Sequence, residues 1–78
     1  MKIGVPREIK IGETRVAMTP NLCRRCIGLG AEVFVEKGAG ARAGFTDAQY
    51  TAAGAHLVKS AAKVWHTADL VVKVKEPL

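Results

Sequence analysis

This sequence predicts an α/β fold built on an open parallel sheet, on three observations. Short apolar runs alternate with segments of helical periodicity in the order βαβαβαβ, and that alternation implies parallel strands joined by crossover helices. Each helical segment is preceded by a good N-cap: Thr19, Thr46 and Ser60. The hydrophobic content of 49% is that of a globular chain and excludes a disordered tail.

The elements follow in order. Residues 2–5 read as a short strand ended by Pro6. Residues 6–18 are polar and charged, with a turn at Gly12. Thr19 then caps a helix whose first position is Pro20, where a missing N–H costs nothing. Leu22, Cys23, Cys26 and Ile27 share one face of it, and Gly30 stops it. Glu32–Glu36 is a strand whose continuous apolar centre predicts cover on both faces. A loop with Gly38, Gly40 and Gly44 follows.

Thr46 and Gln49 form a T-x-x-Q capping box for the second helix, with Phe45 and Tyr50 placed as a hydrophobic staple. Gly54 ends it, and His56–Val58 is the third strand. Ser60 caps a third helix with Ala61, Val64, Trp65 and Ala68 as its apolar stripe, so Trp65 is expected in the core. The last strand is expected at 70–74, ahead of Pro77. The whole is an incomplete flavodoxin- or Rossmann-like sheet in one domain.

At 78 residues a chain buries only about 60% of the surface its unfolded form exposes, so its stability is marginal. The formal net charge of +5 raises nucleic acid or an anionic membrane as a partner. Only Arg24 and Arg25 are adjacent cations, and the aromatics do not alternate with basic residues, so neither partner is expected. No run reaches the length of a membrane helix, and Pro6 interrupts any signal core, which leaves the cytoplasm as the expected compartment. Cys23 and Cys26 form a C-x-x-C inside a helix, with no second pair and with His56 and His66 far away. Two buried free thiols are favoured over a metal or redox site.

Ligands of open parallel sheets bind beyond the carboxyl ends of the strands. Two cation-bearing stretches fall there. One follows the first strand (Arg7, Glu8, Lys10, Glu13, Arg15) and one ends the fourth (Lys73, Lys75, Glu76). Lys73 and Lys75, two apart, are expected on one side. Such an edge suits a small anion, because an arginine fork bonds both oxygens of a carboxylate. The alternative is ordinary solvated charge. Gly38–Ala43 fits G-x-G-x-x-A, but the helix starts late, at Thr46, and the next strand lacks a closing acid, so a plain turn is expected instead of a phosphate cradle.

The blocks Met1–Glu8, Glu13–Pro20 (with R-V-A-x-T-P), Glu36–Gly40, Ala52–Ala55 and Val72–Pro77 (with K-V-K-E-P) resemble the N-terminal segment of the alanine dehydrogenase and pyridine nucleotide transhydrogenase family, over the whole chain. Lys75 tilts the likeness toward alanine dehydrogenase. The resemblance implies the N-terminal part of a substrate domain, residues 1–78, from an NAD-dependent enzyme that interconverts L-alanine with pyruvate and ammonia. It implies Arg15 as a ligand for the substrate carboxylate, and Lys75 as a contact to the carboxylate or carbonyl oxygen. It places the catalytic histidine and aspartate, and the nucleotide-binding domain, beyond Leu78. No catalytic, NAD-binding or metal-ligating residue is therefore expected in this chain, which is predicted inactive alone and self-associating as a homo-oligomer. The competing readings are the matching piece of a transhydrogenase α subunit, and a non-catalytic carboxylate-binding or assembly module.

Overall fold

The computed structural model describes residues 1–9 and 12–74. Four parallel strands, β1 (Lys2–Val5), β2 (Glu32–Glu36), β3 (His56–Val58) and β4 (Leu70–Val71), form one sheet in the order β3-β2-β1-β4. Helices α1 (Pro20–Gly28), α2 (Asp47–Ala52) and α3 (Ala61–Thr67) make the crossovers. The α/β class and the alternation agree with the sequence reading.

Local chemistry sets the helix ends. The Thr19 hydroxyl accepts from the Leu22 N–H at 3.2 Å, and the Ser60 hydroxyl from the Lys63 N–H at 3.2 Å. The capping box of α2 is complete: the Gln49 N–H donates to the Thr46 hydroxyl at 3.2 Å, and the Thr46 N–H to Gln49 Oε1 at 2.8 Å. Gly30 at φ +100° and Gly54 at φ +99° lie just past α1 and α2, where a left-handed residue ends a helix.

The crossovers divide the helices between the two faces. Passing from β1 to β2 to β3 moves the chain one way across the sheet. The step from β3 to β4 moves it back past both. Crossovers of one hand then put α1 and α2 on one face and α3 on the other. Packing agrees. Val5, Val33 and Val35 are buried with Cys23 of α1 and Tyr50 of α2, each 0% exposed. Gly4 and Phe34 are paired in register and point to the opposite face, where Val64 and Ala68 of α3 close onto Gly4.

Four expectations need correction. Trp65 is 51% exposed, so only Val64 of the α3 stripe is fully buried: one turn of stripe can face the sheet at Gly4, and Trp65 rolls to its rim. β2 is sealed on one face only, since Phe34 is half-buried and stacks on His56 with ring centroids 5.0 Å apart. β4 pairs over two residues, not five. Its neighbour β1 ends at Val5 before Pro6, which has no N–H. The ladder therefore runs out after the Val72 N–H reaches the Gly4 carbonyl at 3.0 Å. Leu22, expected on the apolar face of α1, is 41% exposed.

Candidate functional site

Helix placement switches faces between β1 and β4, and outside the carboxyl ends of such a pair open sheets hold their ligands. The loop leaving β1 and Lys73, the described cation of the second stretch, come together there. The loop leaving β1 carries two carboxylates that are almost fully buried, Glu8 (7% exposed) and Glu13 (6%). A buried carboxylate is costly unless partners hold it. Glu8 finds partners 65 residues and more along the chain: its Oε1 lies 3.6 Å from Lys73 Nζ, and its Oε2 accepts from the Val74 N–H at 3.0 Å. It ties the exit of β1 to the extension of β4.

Glu13 finds its partner two residues on. Arg15 Nε donates to Oε2 at 3.0 Å, Nη2 to Oε1 at 3.1 Å, and the Arg15 backbone N–H to Oε2 at 2.8 Å. The Arg15 side chain remains 67% exposed while that of Glu13 is 4% exposed. The hydrogen bonds that Arg15 donates to Glu13, then the Glu13 charge, hold the guanidinium above its usual pKa, with a smaller push from Glu8. Arg15 is a permanent cation docked along one edge.

The neighbouring loop after β2 completes the edge. The Arg7 N–H donates to Glu36 Oε1 at 2.8 Å, joining the exits of β1 and β2. A cavity of about 330 Å³ opens between the two loops, lined among others by Arg7, Glu8, Glu13, Arg15, Gly38 and Arg42. Three guanidinium-bearing residues around a small cavity suit an anion of carboxylate size.

The glycine loop does not fit a dinucleotide. Its Gly38 N–H is already taken by Asp47 Oδ1 at 2.8 Å. A Cβ at Gly40 would stand 2.6 Å from Tyr50 Cε2, so that glycine makes room for an internal ring. Residues 41–43 form a single 3-10 turn, and α2 opens only at Asp47. No pyrophosphate would find free N–H groups converging at a helix start here.

Arg15 therefore lies at the expected edge. Lys75 and Lys10 fall outside the described residues. Lys73, expected as an available cation beside Lys75, is instead turned in on Glu8, with 13% of its side chain exposed. The sequence reading missed the burial of Glu8 and Glu13. Their one signal was acids interleaved with cations in an apolar-poor stretch, which a solvated loop shares. Both cysteines are free; Cys23 is fully buried as expected, but Cys26, expected buried too, is only part-buried. Burial first, then Cys26, pushes the Cys23 thiol up to about 11, so thiolate chemistry is suppressed there. Among the described residues no group of three or more His, Cys, Asp or Glu side chains could hold a metal ion, and no helix is long and apolar enough to cross a membrane.

Comparison with known proteins gives one family. The family model for the alanine dehydrogenase/PNT N-terminal domain matches residues 4–78. An alanine dehydrogenase of Halomonas elongata is 53% identical over 77 residues, covering 99% of this chain and 21% of that protein. The NAD(P) transhydrogenase subunit alpha of Cereibacter sphaeroides is 52% identical over 77 residues, covering 99% of this chain and 15% of its own length. A solved L-alanine dehydrogenase superimposes with a TM-score of 0.96 at 50% identity, over all of this chain and 21% of that one. The chain thus spans about a fifth of the length of the alanine dehydrogenases it matches.

Proposed function

The chain belongs to the alanine dehydrogenase/PNT N-terminal domain family, and we propose that it is the first part of the substrate domain of an L-alanine dehydrogenase. In this reading the whole protein converts L-alanine, NAD and water to pyruvate, ammonia and NADH, and the reverse. Residues 1–78 supply grip on the substrate's anionic end. Arg15 takes the carboxylate in its planar fork. Lys75 sets an ammonium against the carboxylate or carbonyl oxygen and draws electron density from the carbon that exchanges hydride. NAD supplies the hydride acceptor, and its binding is assigned to residues outside this chain, because the glycine loop is filled by Tyr50 and Asp47. The 78 residues are proposed to bind without turning substrate over, and the working protein to be a homo-oligomer.

One observation carries the reading. The Val74 N–H, one residue before Lys75, bonds to Glu8 in the loop that leads to Arg15. Stretches 60 residues apart thereby start from a common anchor, at the edge where open sheets take ligands. The test is a pyruvate titration followed by NMR on the wild-type chain, Arg15→Ala and Lys75→Ala. Each substitution is expected to weaken the response about tenfold or more, the loss of one charge-assisted pair. Equal responses from all three would remove the assignment.

A second reading is favoured by the 52% identity to the Cereibacter sphaeroides transhydrogenase subunit alpha: the same domain in a transhydrogenase. Alanine-dependent NADH formation by the full-length protein separates the two.

A further inference from the structure

A guanidinium has five N–H donors arranged along two usable edges, one of Nε with Nη2 and one of Nη1 with Nη2. Glu13 occupies only the first. Its two oxygens meet Nε and Nη2 at 3.0 and 3.1 Å, in the side-on geometry of a bidentate pair. The same carboxylate also holds the Arg15 backbone N–H at 2.8 Å, so stem and head are fixed together. Glu13 is itself buried, whereas the Arg15 side chain is 67% exposed and borders the 330 Å³ cavity. The second edge, with one N–H each from Nη1 and Nη2, carries no acceptor among the described residues and can take a ligand.

We infer that Glu13 is a positioning residue: it clamps one edge of Arg15 so that the other presents a preformed fork to a small carboxylate. This rests on the reading of Arg15 as the carboxylate ligand. An unclamped arginine on a loop would lose side-chain freedom on every binding event. A clamped one has lost it already, which is the general advantage of preorganisation. Two of the five guanidinium N–H donors go to Glu13 and its charge offsets that of Arg15, so the gain is in geometry and not in net charge.

The test uses the 78-residue chain, with pyruvate as the probe and NMR as the readout. Arg15→Ala, Glu13→Ala and Glu13→Gln are titrated beside wild type. The Arg15 Nε–H signal, assigned by its loss in Arg15→Lys, is followed for exchange with water. Glu13→Ala is expected to weaken pyruvate binding about five- to tenfold and to speed Nε–H exchange, with backbone dispersion preserved. Glu13→Gln keeps one acceptor in place and should fall between. Wild-type affinity in Glu13→Ala, with Arg15→Ala still impaired, overturns the clamp and leaves the role of Arg15 standing. Tighter binding in Glu13→Ala also overturns it, because Glu13 would then be a competitor. Undiminished binding in Arg15→Ala, or none in wild type, removes both. If Glu13→Ala loses its dispersion, Glu13→Gln decides on the same two readouts.

Discussion

The two faces of the sheet are made from similar residues but close to different extents. On the α1/α2 face, Val5, Val33, Val35, Cys23 and Tyr50 are all 0% exposed. On the α3 face Val64 reaches that state, while Phe34 is half-buried and Trp65 keeps 51% of its surface in water. Helix width explains the difference. Neighbouring strands are about 4.8 Å apart, and a helix with its side chains is about 10 Å wide. Two helices span four strands, and one spans two. α3 is seated over β1 by the bare Cα of Gly4, so side chains toward either sheet edge have no lid among the described residues. Apolar composition alone does not close a parallel sheet. The number of crossovers on each face decides it.

Replacing the central aromatic of each face tests this contrast most sharply. Tyr50→Ala should cost about 3–5 kcal/mol, as for other buried aromatics cut to alanine. It removes a 0%-exposed ring and the hydroxyl that donates to the Met18 carbonyl at 2.8 Å. Trp65→Ala should cost under about 1 kcal/mol, as surface substitutions do. Urea unfolding of both variants in parallel gives the comparison, and equal losses would break it.

A smaller effect is expected where α3 meets the sheet. A methyl at Gly4 would stand 2.6 Å from Val64 Cγ1 and 2.7 Å from Ala68 Cβ, neither of which is a flexible chain end. Gly4→Ala should cost about 1–3 kcal/mol through overpacking. It should also shift Trp65 fluorescence as α3 is displaced. Val64→Ala in the same chain should recover part of the loss. A purely additive double mutant would show that α3 does not rest on Gly4.

The gentlest probe is alkali, because burial on the closed face shifts two of its acids. Burial raises Cys23 from 9.0 to about 11 and Tyr50 from 10.0 to about 12. A group whose folded pKa is raised holds its proton more tightly folded than unfolded. Stability is then whole below pH 9 and falls as pH rises through 9 to about 12. Thermal unfolding at pH 8, 10 and 11 should show a progressive drop, and Cys23→Ala should flatten its first part. A Tm independent of pH over that range would contradict the burial of both groups.

Much of the fold was legible along the chain because its signals are local. Caps at Thr19, Thr46 and Ser60 act within one helical turn, and a proline or a glycine stops an element where it stands. The geometry of the candidate site was legible in part. Arg15 and the carboxyl-edge location followed from the order of elements and the family likeness. Glu8 and Glu13 did not, because a glutamate among cations reads as solvated until the fold decides what covers it. Lys73 was misjudged for the same reason, since its partner lies 65 residues back.

By itself, then, the sequence determined the element order, the helix boundaries, the parallel character of the sheet and the family. Each depends on contacts between near neighbours in the chain or on motifs read directly. Only the tertiary structure decided that β4 returns to lie beside β1, that Glu8 reaches Lys73 and Val74, and that one sheet face is closed and the other half open. Those outcomes depend on which distant segments share space. That is set by crossover direction and helix width, which no local window of residues encodes.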